Sequence, residues 1–316
     1  MHGFGDVVRW MIKRRRITLP PDPSPGAFPV VTPHIAERLP PSELAVTWLG
    51  HSTVLLQIGG LNVLTDPIWS DRASPVRFAG PKRLVPVPIE LDALPPIDIV
   101  LISHNHYDHL DRRTVKKLAR RSGDTEWLMP LGLAGLLQKW GAKRVREMDW
   151  WARMDVRGVR FGCTPAQHFS ARGFGDRSKT LWCGWALASN THRVYFAGDT
   201  ALFPEFAAIG ERFGPFDLSI LPIGAYEPRW FMQRVHMNPE DAIEAYRALS
   251  SGAGSNAVGG RGAVLPIHWG TFRLTDEAMT EPPERFRQRW GEAGFAAEDL
   301  LLLKHGESRT TASSRR

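Results

Sequence analysis

The chain has 316 residues, 43% of them hydrophobic and 23% charged, which excludes a collagen, a coiled coil and a disordered tail. Its 40 Lys and Arg against 33 Asp and Glu leave a net charge of +7, which favours anionic partners: phosphates, acidic lipid headgroups or nucleic acid. The two cysteines, Cys163 and Cys183, are too few for a disulfide framework and lack the paired spacing of a zinc-thiolate site; both read as small buried hydrophobes.

In chain order, residues 1 to 16 predict a short basic amphipathic helix, with Val7, Val8, Trp10, Met11 and Ile12 ahead of Lys13, Arg14, Arg15 and Arg16. That order is the reverse of a signal peptide's and predicts a cytoplasmic protein, with peripheral contact at the inner membrane surface as the exception to free solution. Residues 17 to 43 carry eight prolines and little periodicity, so 1–44 reads as an arm laid over one main domain, 45–316. Short β runs follow: Val46 to Leu49, Thr53 to Ile58, Leu61 to Thr65 and Ile97 to Ile102. The uncharged stretch from Val46 to Thr65 contains His51, Gln57, Asn62 and a Gly59-Gly60 turn, so it predicts strands rather than a membrane span. Arg112 to Arg121 predicts a helix with Val115, Leu118 and Ala119 on its apolar face and its basic residues in solvent. Later strands are predicted at Val159 to Cys163, Leu181 to Ala188, Val194 to Ala197, Leu218 to Ile223 and Ala263 to Ile267. Helices are predicted near 131–140, 204–213, 239–250 and 282–293, and Ser250 to Gly262 reads as a surface loop. Two successive sets of strands and helices predict two sheets covered by helices, an α/β class.

The apolar run Ile99-Val100-Leu101-Ile102 ends at Ser103, and His104-Asn105-His106-Tyr107-Asp108-His109 follows. Residues two apart on an extended chain point the same way, so His104 and His106 face one metal ion, and Asp108 and His109 face a second beside it. Imidazole and carboxylate donors suit Zn²⁺ and tolerate Fe or Mn. Two ions need more ligands than this loop supplies. His168, Asp199 and His268 each sit where an apolar run meets a loop and complete the count.

These residues resemble the metallo-β-lactamase fold superfamily. The flanking segments Thr65-Asp66-Pro67, Asp149-Trp150-Trp151, Glu227-Pro228-Arg229-Trp230-Phe231-Met232 and His268-Trp269-Gly270-Thr271-Phe272 are similar to its branch of N-acylphosphatidylethanolamine-hydrolysing phospholipases D. The resemblance runs from about Val46 to Arg309 and implies a four-layer αββα sandwich with two zinc ions at the sheet edges. By matching position it implies that His104, His106 and His168 hold the first ion, that Asp108, His109 and His268 hold the second, and that Asp199 bridges them. Asp66 would orient a ligand histidine, as metal-bound histidines usually require, and His51 would line the same region. Asp108, Asp199 and His236 are the candidate catalytic residues, His236 as acid for the leaving group. Val235, just before it, departs from the polar residue of that branch.

The implied reaction is phospholipase D-type hydrolysis of an N-acylphosphatidylethanolamine-like phospholipid to N-acylethanolamine and phosphatidic acid. The alternative is metal-dependent hydrolysis of a soluble lactone, ester or phosphodiester. Tyr107, Arg229 and Trp230 are candidate substrate contacts, with Trp150, Trp151, Phe231 and Met232 adding an apolar surface for lipid. Nucleic acid is disfavoured as a partner, because the basic runs at 13–16 and 112–121 accompany no nucleic-acid module and no Gly-rich phosphate loop. A homodimer is compatible with the sequence, which does not set the oligomeric state.

Overall fold

Alternation within the strands sets the architecture, because side chains two apart on a strand share a face. A computed structural model describes residues 4–173, 175–251 and 262–312. In β1 (Glu43–Gly50), Val46 and Trp48 turn inward between two sheets, while Leu49 turns toward helices. In β2 (Thr53–Ile58), Val54, Leu56 and Ile58 face inward and Leu55 outward; in β3 (Leu61–Thr65), Leu61 and Val63 face inward and Leu64 outward. Strands buried on both faces need apolar residues at nearly every position, which is why these runs are legible as continuous hydrophobic segments.

The first sheet continues through β4 (Ile99–Leu101), β5 (Glu126–Pro130) and β6 (Arg144–Met148), all parallel to β3, and ends on its other side with β13 (Ser308–Ala312) against β1. The second runs in spatial order through β12 (Ala263–Ile267), β11 (Leu218–Pro222), β10 (Arg193–Phe196), β9 (Gly184–Ala188), β8 (Val159–Thr164) and β7 (Arg153–Val156). Trp48, Val54, Leu56 and Leu101 of the first sheet pack against Phe161, Trp185, Phe196 and Ile220 of the second. Burying each such side chain contributes about 1.5–3 kcal/mol, so this layer dominates the core.

Helices α2 (Arg112–Arg121) and α3 (Ala134–Lys139) cover the outside of the first sheet through Val115, Leu118 and Leu137. Helices α4 (Glu205–Phe213), α6 (Pro239–Ser251) and α7 (Glu281–Glu292) cover the second through Phe206, Ile209, Ile243, Tyr246, Phe286 and Trp290. This is the expected αββα arrangement. A single-turn helix, α5 (Arg229–Met232), lies on the loop after β11. The N-terminal helix α1 (Phe4–Arg14) is also present and ends two residues before the expected residue 16.

The Pro-rich segment after α1 packs on the domain by filling backbone needs. Gln57 Nε2 donates to the Ala36 carbonyl, Asn62 Nδ2 to that of Glu37, and Arg38 pairs with Asp98 at 2.8 Å. Strands β5, β6, β7 and β13 were not expected from the sequence. The loop expected at 250–262 falls mostly outside the described residues. Among the described residues no helix is long and apolar enough to cross a membrane.

Candidate metal centre

Six strand ends deliver the candidate residues to one edge of the sandwich. His51 follows β1, Asp66 follows β3, residues 103–111 follow β4, and His168, Asp199 and His268 follow β8, β10 and β12. The backbone turns sharply there: His51, Asp66, Ala225 and His268 adopt φ of 54°, 34°, 64° and 64°. Such left-handed conformations in residues other than glycine cost about 1–3 kcal/mol each and cluster at functional sites. Gly198, at φ +62°, is required by space as well: an added Cβ would lie 2.7 Å from Ser103 Cβ and 3.0 Å from the Cys183 carbonyl oxygen.

Three imidazoles converge on one side. His104 Nε2 lies 2.9 Å from His106 Nδ1, and His168 Nε2 lies 3.2 Å from the same atom. Their partners set the tautomers. Ser103 Oγ donates its one proton to Asp66 Oδ2 at 2.6 Å, so at 2.8 Å it accepts from His104 Nδ1. His168 Nδ1 donates to the Val235 carbonyl at 2.8 Å. Both Nε2 atoms therefore present lone pairs toward His106 Nδ1, which has at most one proton to share between them, whereas a cation among the three nitrogens would satisfy all of them.

A second group adjoins the first. His109 Nε2 and His268 Nε2 are each 3.1 Å from Asp199 Oδ2, and 3.3 and 3.5 Å from Asp108 Oδ2. His51 Nε2 meets Asp108 Oδ2 at 2.9 Å. Asp199 Oδ2 also lies 4.0 Å from His104 Nε2 and 3.9 Å from His168 Nε2, between the two groups. Asp66 is fully buried behind them. Its Oδ2 receives His109 Nδ1 at 2.8 Å, and its Oδ1 receives the Ser103 N–H at 2.7 Å, which aims His109 Nε2 at the cluster.

The electrostatics divide along the same line. Burial drives His104, His106 and His168 down, His106 to about 3 and His168 to about 4, so these rings are neutral at pH 7. Burial also opposes charge on His109 and His268, but the carboxylates of Asp199 and Asp108 outweigh it, holding His109 well above its ordinary value and raising His268 to about 9. Burial would raise Asp108 and Asp199, yet the neighbouring histidines hold both well below the usual carboxylate range.

The donor set fits a pair of cations. His51, Asp108, His109 and His268 form one group able to hold a metal ion, and His104, His106 and His168 another. His109 Nε2, His268 Nε2 and Asp199 Oδ1 are buried atoms without an aligned hydrogen bond, although carboxylate oxygens lie close to both nitrogens. Buried polar atoms rarely go unpaired unless something else satisfies them, and the nitrogen and oxygen donors here suit a divalent transition metal.

Part of the cluster borders a cavity of about 290 Å³. His106, Asp108, Asp199 and His236 border it, and Phe169, Phe231, Met232, Val235 and Leu274 give it an apolar wall. The candidate substrate contacts Tyr107, Arg229 and Trp230 are not among the residues that border it. Tyr107 Oη donates to the Arg172 carbonyl at 2.6 Å, beneath the Arg172 guanidinium at 4.1 Å. Arg229 is held by Asp241 at 2.7 Å and donates to the His236 carbonyl at 3.3 Å, so it positions His236. The Trp230 ring lies beneath Arg9 and Lys13, at 5.3 and 5.2 Å. Trp150 donates to the Trp182 carbonyl and Trp151 stacks on Phe213, and neither is among the residues bordering the cavity.

His236 does border the cavity, with Nδ1 buried, unpaired and 3.9 Å from Asp199 Oδ2. Burial holds its ring well below the ordinary value, hence neutral at pH 7, so the expected acid role narrows to hydrogen bonding through a neutral N–H. Sequence reasoning missed Ser103, whose only signal is its place before His104. It also missed Arg177 and Arg234, which border the cavity and carry no motif.

Residues 61–269 match the β-lactamase superfamily domain. The chain is 44% identical over 281 residues to an uncharacterised protein of Mycobacterium tuberculosis H37Rv, spanning 88% of this chain and 71% of that one. It is 41% identical over 274 residues to N-acyl-phosphatidylethanolamine-hydrolyzing phospholipase D 1 of Caenorhabditis elegans, spanning 82% and 72%. Among solved structures, Igni18, a metallo hydrolase of Ignicoccus hospitalis, superimposes with a TM-score of 0.62 at 24% identity, covering 85% of this chain and 98% of that one; at that identity the likeness speaks for the fold alone. The chain belongs to the metallo-β-lactamase fold superfamily, among the homologues of N-acylphosphatidylethanolamine-hydrolysing phospholipase D.

Proposed function

We propose that the protein is a metal-dependent phosphodiesterase that hydrolyses N-acylated phosphatidylethanolamine or a closely related phospholipid to N-acylethanolamine and phosphatidic acid. The observation that carries this reading is the junction of the buried histidine and aspartate cluster with an apolar cavity. A polar reacting group at one end and an aliphatic group along the wall is the shape of a phospholipid. The 41% identity to the nematode phospholipase supports the same substrate class.

His104, His106 and His168 would hold one ion and Asp108, His109 and His268 the other, with Asp199 shared; zinc suits the donors best, and Fe or Mn would be tolerated. When bound, two such cations supply Lewis acidity toward a water and toward the phosphoryl oxygens. The chain's own residues do the rest. Asp66 and Ser103 fix the orientation of His109 and His104. His236, on the cavity wall, hydrogen bonds to the departing oxygen. One water is consumed: its oxygen ends on phosphorus, the bond from phosphorus to the ethanolamine oxygen breaks, and that oxygen takes a proton.

A peripheral contact with an anionic bilayer belongs to this reading. Met11, Ile12 and Ile17 are 53%, 49% and 51% exposed beside the exposed cations Lys13, Arg15 and Arg16, the composition of an interfacial segment. The test is mass spectrometry of products after incubation with a mixed membrane-lipid extract, alongside a soluble chromogenic phosphodiester. Release of N-acylethanolamine with phosphatidic acid supports the proposal. Turnover of the soluble compound alone, with no change at micelles, replaces it with a soluble-substrate hydrolase.

A further inference from the structure

The segment matching the superfamily begins at residue 61, yet α1, well ahead of it, supplies part of the cavity wall. Val7 and Trp10 border the cavity together with Phe169, Phe231, Met232 and Leu274. Trp10 is fixed from two directions. Its ring stacks on Phe231 at 5.3 Å and 26°, and its Nε1 donates to Asp276 Oδ2 at 2.8 Å. One turn later on the same helix face, Arg14 Nε pairs with the other oxygen of that carboxylate at 2.8 Å. Arg14 also donates to the Thr275 carbonyl at 3.3 Å. Asp276 is itself 8% exposed at the side chain, so a shielded carboxylate latches both anchoring side chains of α1. Its neighbours Leu274 and Thr275 line the same cavity, which ties the latch to the wall it closes.

The occupant follows from the lining. Apart from Asp108 and Asp199 of the cluster, the charges bordering the cavity are two guanidinium groups, Arg177 and Arg234. Among the described residues neither has a carboxylate partner; Arg177 lies instead over the Phe169 ring at 3.9 Å. An apolar wall with cations and a metal-binding cluster suits a single aliphatic chain that ends in a phosphoryl group.

Resting on the phospholipid reading above, we infer that Trp10 is a specificity-determining residue that, with Val7, sets how much aliphatic chain the site accepts, and that Asp276 is the positioning residue holding it there. This makes α1 a working wall of the site. Loss of the Trp10 ring opens the wall to water, so the outer methylenes of a bound chain stay hydrated.

The test uses the full, metal-loaded chain and titration calorimetry with n-alkyl phosphonates from methyl to dodecyl. In the native protein each added methylene should tighten binding about fourfold until the cavity is filled, the expected effect of burying one methylene. Trp10→Ala should reduce that gain to less than half per methylene while leaving the affinity for methyl phosphonate and the metal content unchanged. Trp10→Phe should restore most of the gain, and Asp276→Ala should reproduce Trp10→Ala. Val7→Trp fills the wall from the other side and should move the plateau to shorter chains, which keeps the inference testable if Trp10→Ala does not fold. An unchanged chain-length slope in Trp10→Ala, a uniform loss of affinity across the series, or native protein that binds no alkyl phosphonate overturns it. Turnover is not read here, so the absence of lipid cleavage would defeat the proposed reaction while leaving this result to stand by itself.

Discussion

Asp66→Asn tests the support beneath the cluster. Asp66 Oδ2 accepts from Ser103 Oγ and His109 Nδ1 at 2.6 and 2.8 Å, and Oδ1 accepts from the Ser103 N–H at 2.7 Å. All three partners donate, so an amide that keeps its oxygen on the Ser103 N–H turns its NH₂ toward Ser103 Oγ, which can accept, and toward the His109 Nδ1–H, which cannot. A hydrogen bond to a charged group contributes about 1.5–3 kcal/mol, and losing the one to His109 frees that ring to turn. Lost orientation of this kind typically lowers metal affinity about 10- to 100-fold. The weakening should fall mainly on the site of His109, Asp108 and His268, because His168 keeps its own anchor at the Val235 carbonyl. Chelator competition with metal-free protein resolves the two affinities, with circular dichroism to establish that the variant folds. Two affinities within twofold of the native values would refute the orienting role of Asp66.

Metal loading should release protons at pH 7, since His109 and His268 carry them in the metal-free cluster and must lose them to bind a cation. Apparent affinity should rise with pH up to about 9, where His268 deprotonates unaided, and calorimetry in two buffers of different ionisation enthalpy measures the release. By the same raised value, the stability that protonated His268 gives the metal-free fold is full below its unfolded value and lost as pH rises through about 9, so the metal-free melting temperature should fall across that range. His236→Ala should keep its metal and lose turnover, read as a drop in kcat with unchanged metal stoichiometry; unchanged kcat removes His236 from the reaction. Gly198→Ala should destabilise the fold by about 2–4 kcal/mol in urea unfolding, from the left-handed backbone together with the clash against Ser103. A change below 0.5 kcal/mol, the ordinary surface-substitution range, would contradict that reading.

The legible parts of the fold are those where burial leaves little choice of residue. Thr53–Ile58 and Leu61–Thr65 read correctly end to end because both faces of each strand are covered. The strands that escaped notice include three at sheet edges: β6 with the residues RVREM, β7 with RMDV, and β13. An edge strand meets water, so charged side chains replace the apolar alternation that would reveal it. At the site, His104 and His106 are legible from their spacing, and His168, Asp199 and His268 from their positions at strand ends. The apolar wall of the cavity was legible only in part, through Phe231 and Met232. Trp150, Trp151 and Trp230 are large apolar residues near functional segments, yet Trp230 lies under the cations of α1 and the other two pack around Trp182 and Phe213. Aromatic type alone does not separate a packed ring from a ligand-facing one. Trp10 reads from the sequence as part of an interfacial face, because the contact that turns it inward is Asp276, 266 positions away.

On this reading, side chains from four strand ends converge to hold a pair of cations. Elemental analysis of protein prepared without chelators, native beside Asp199→Ala, tests it most directly. About two transition-metal ions per native chain and a loss at both positions in the variant are expected, because the Asp199 carboxylate lies between the two groups. Native protein without stoichiometric metal, or a variant that retains its full complement, would contradict it.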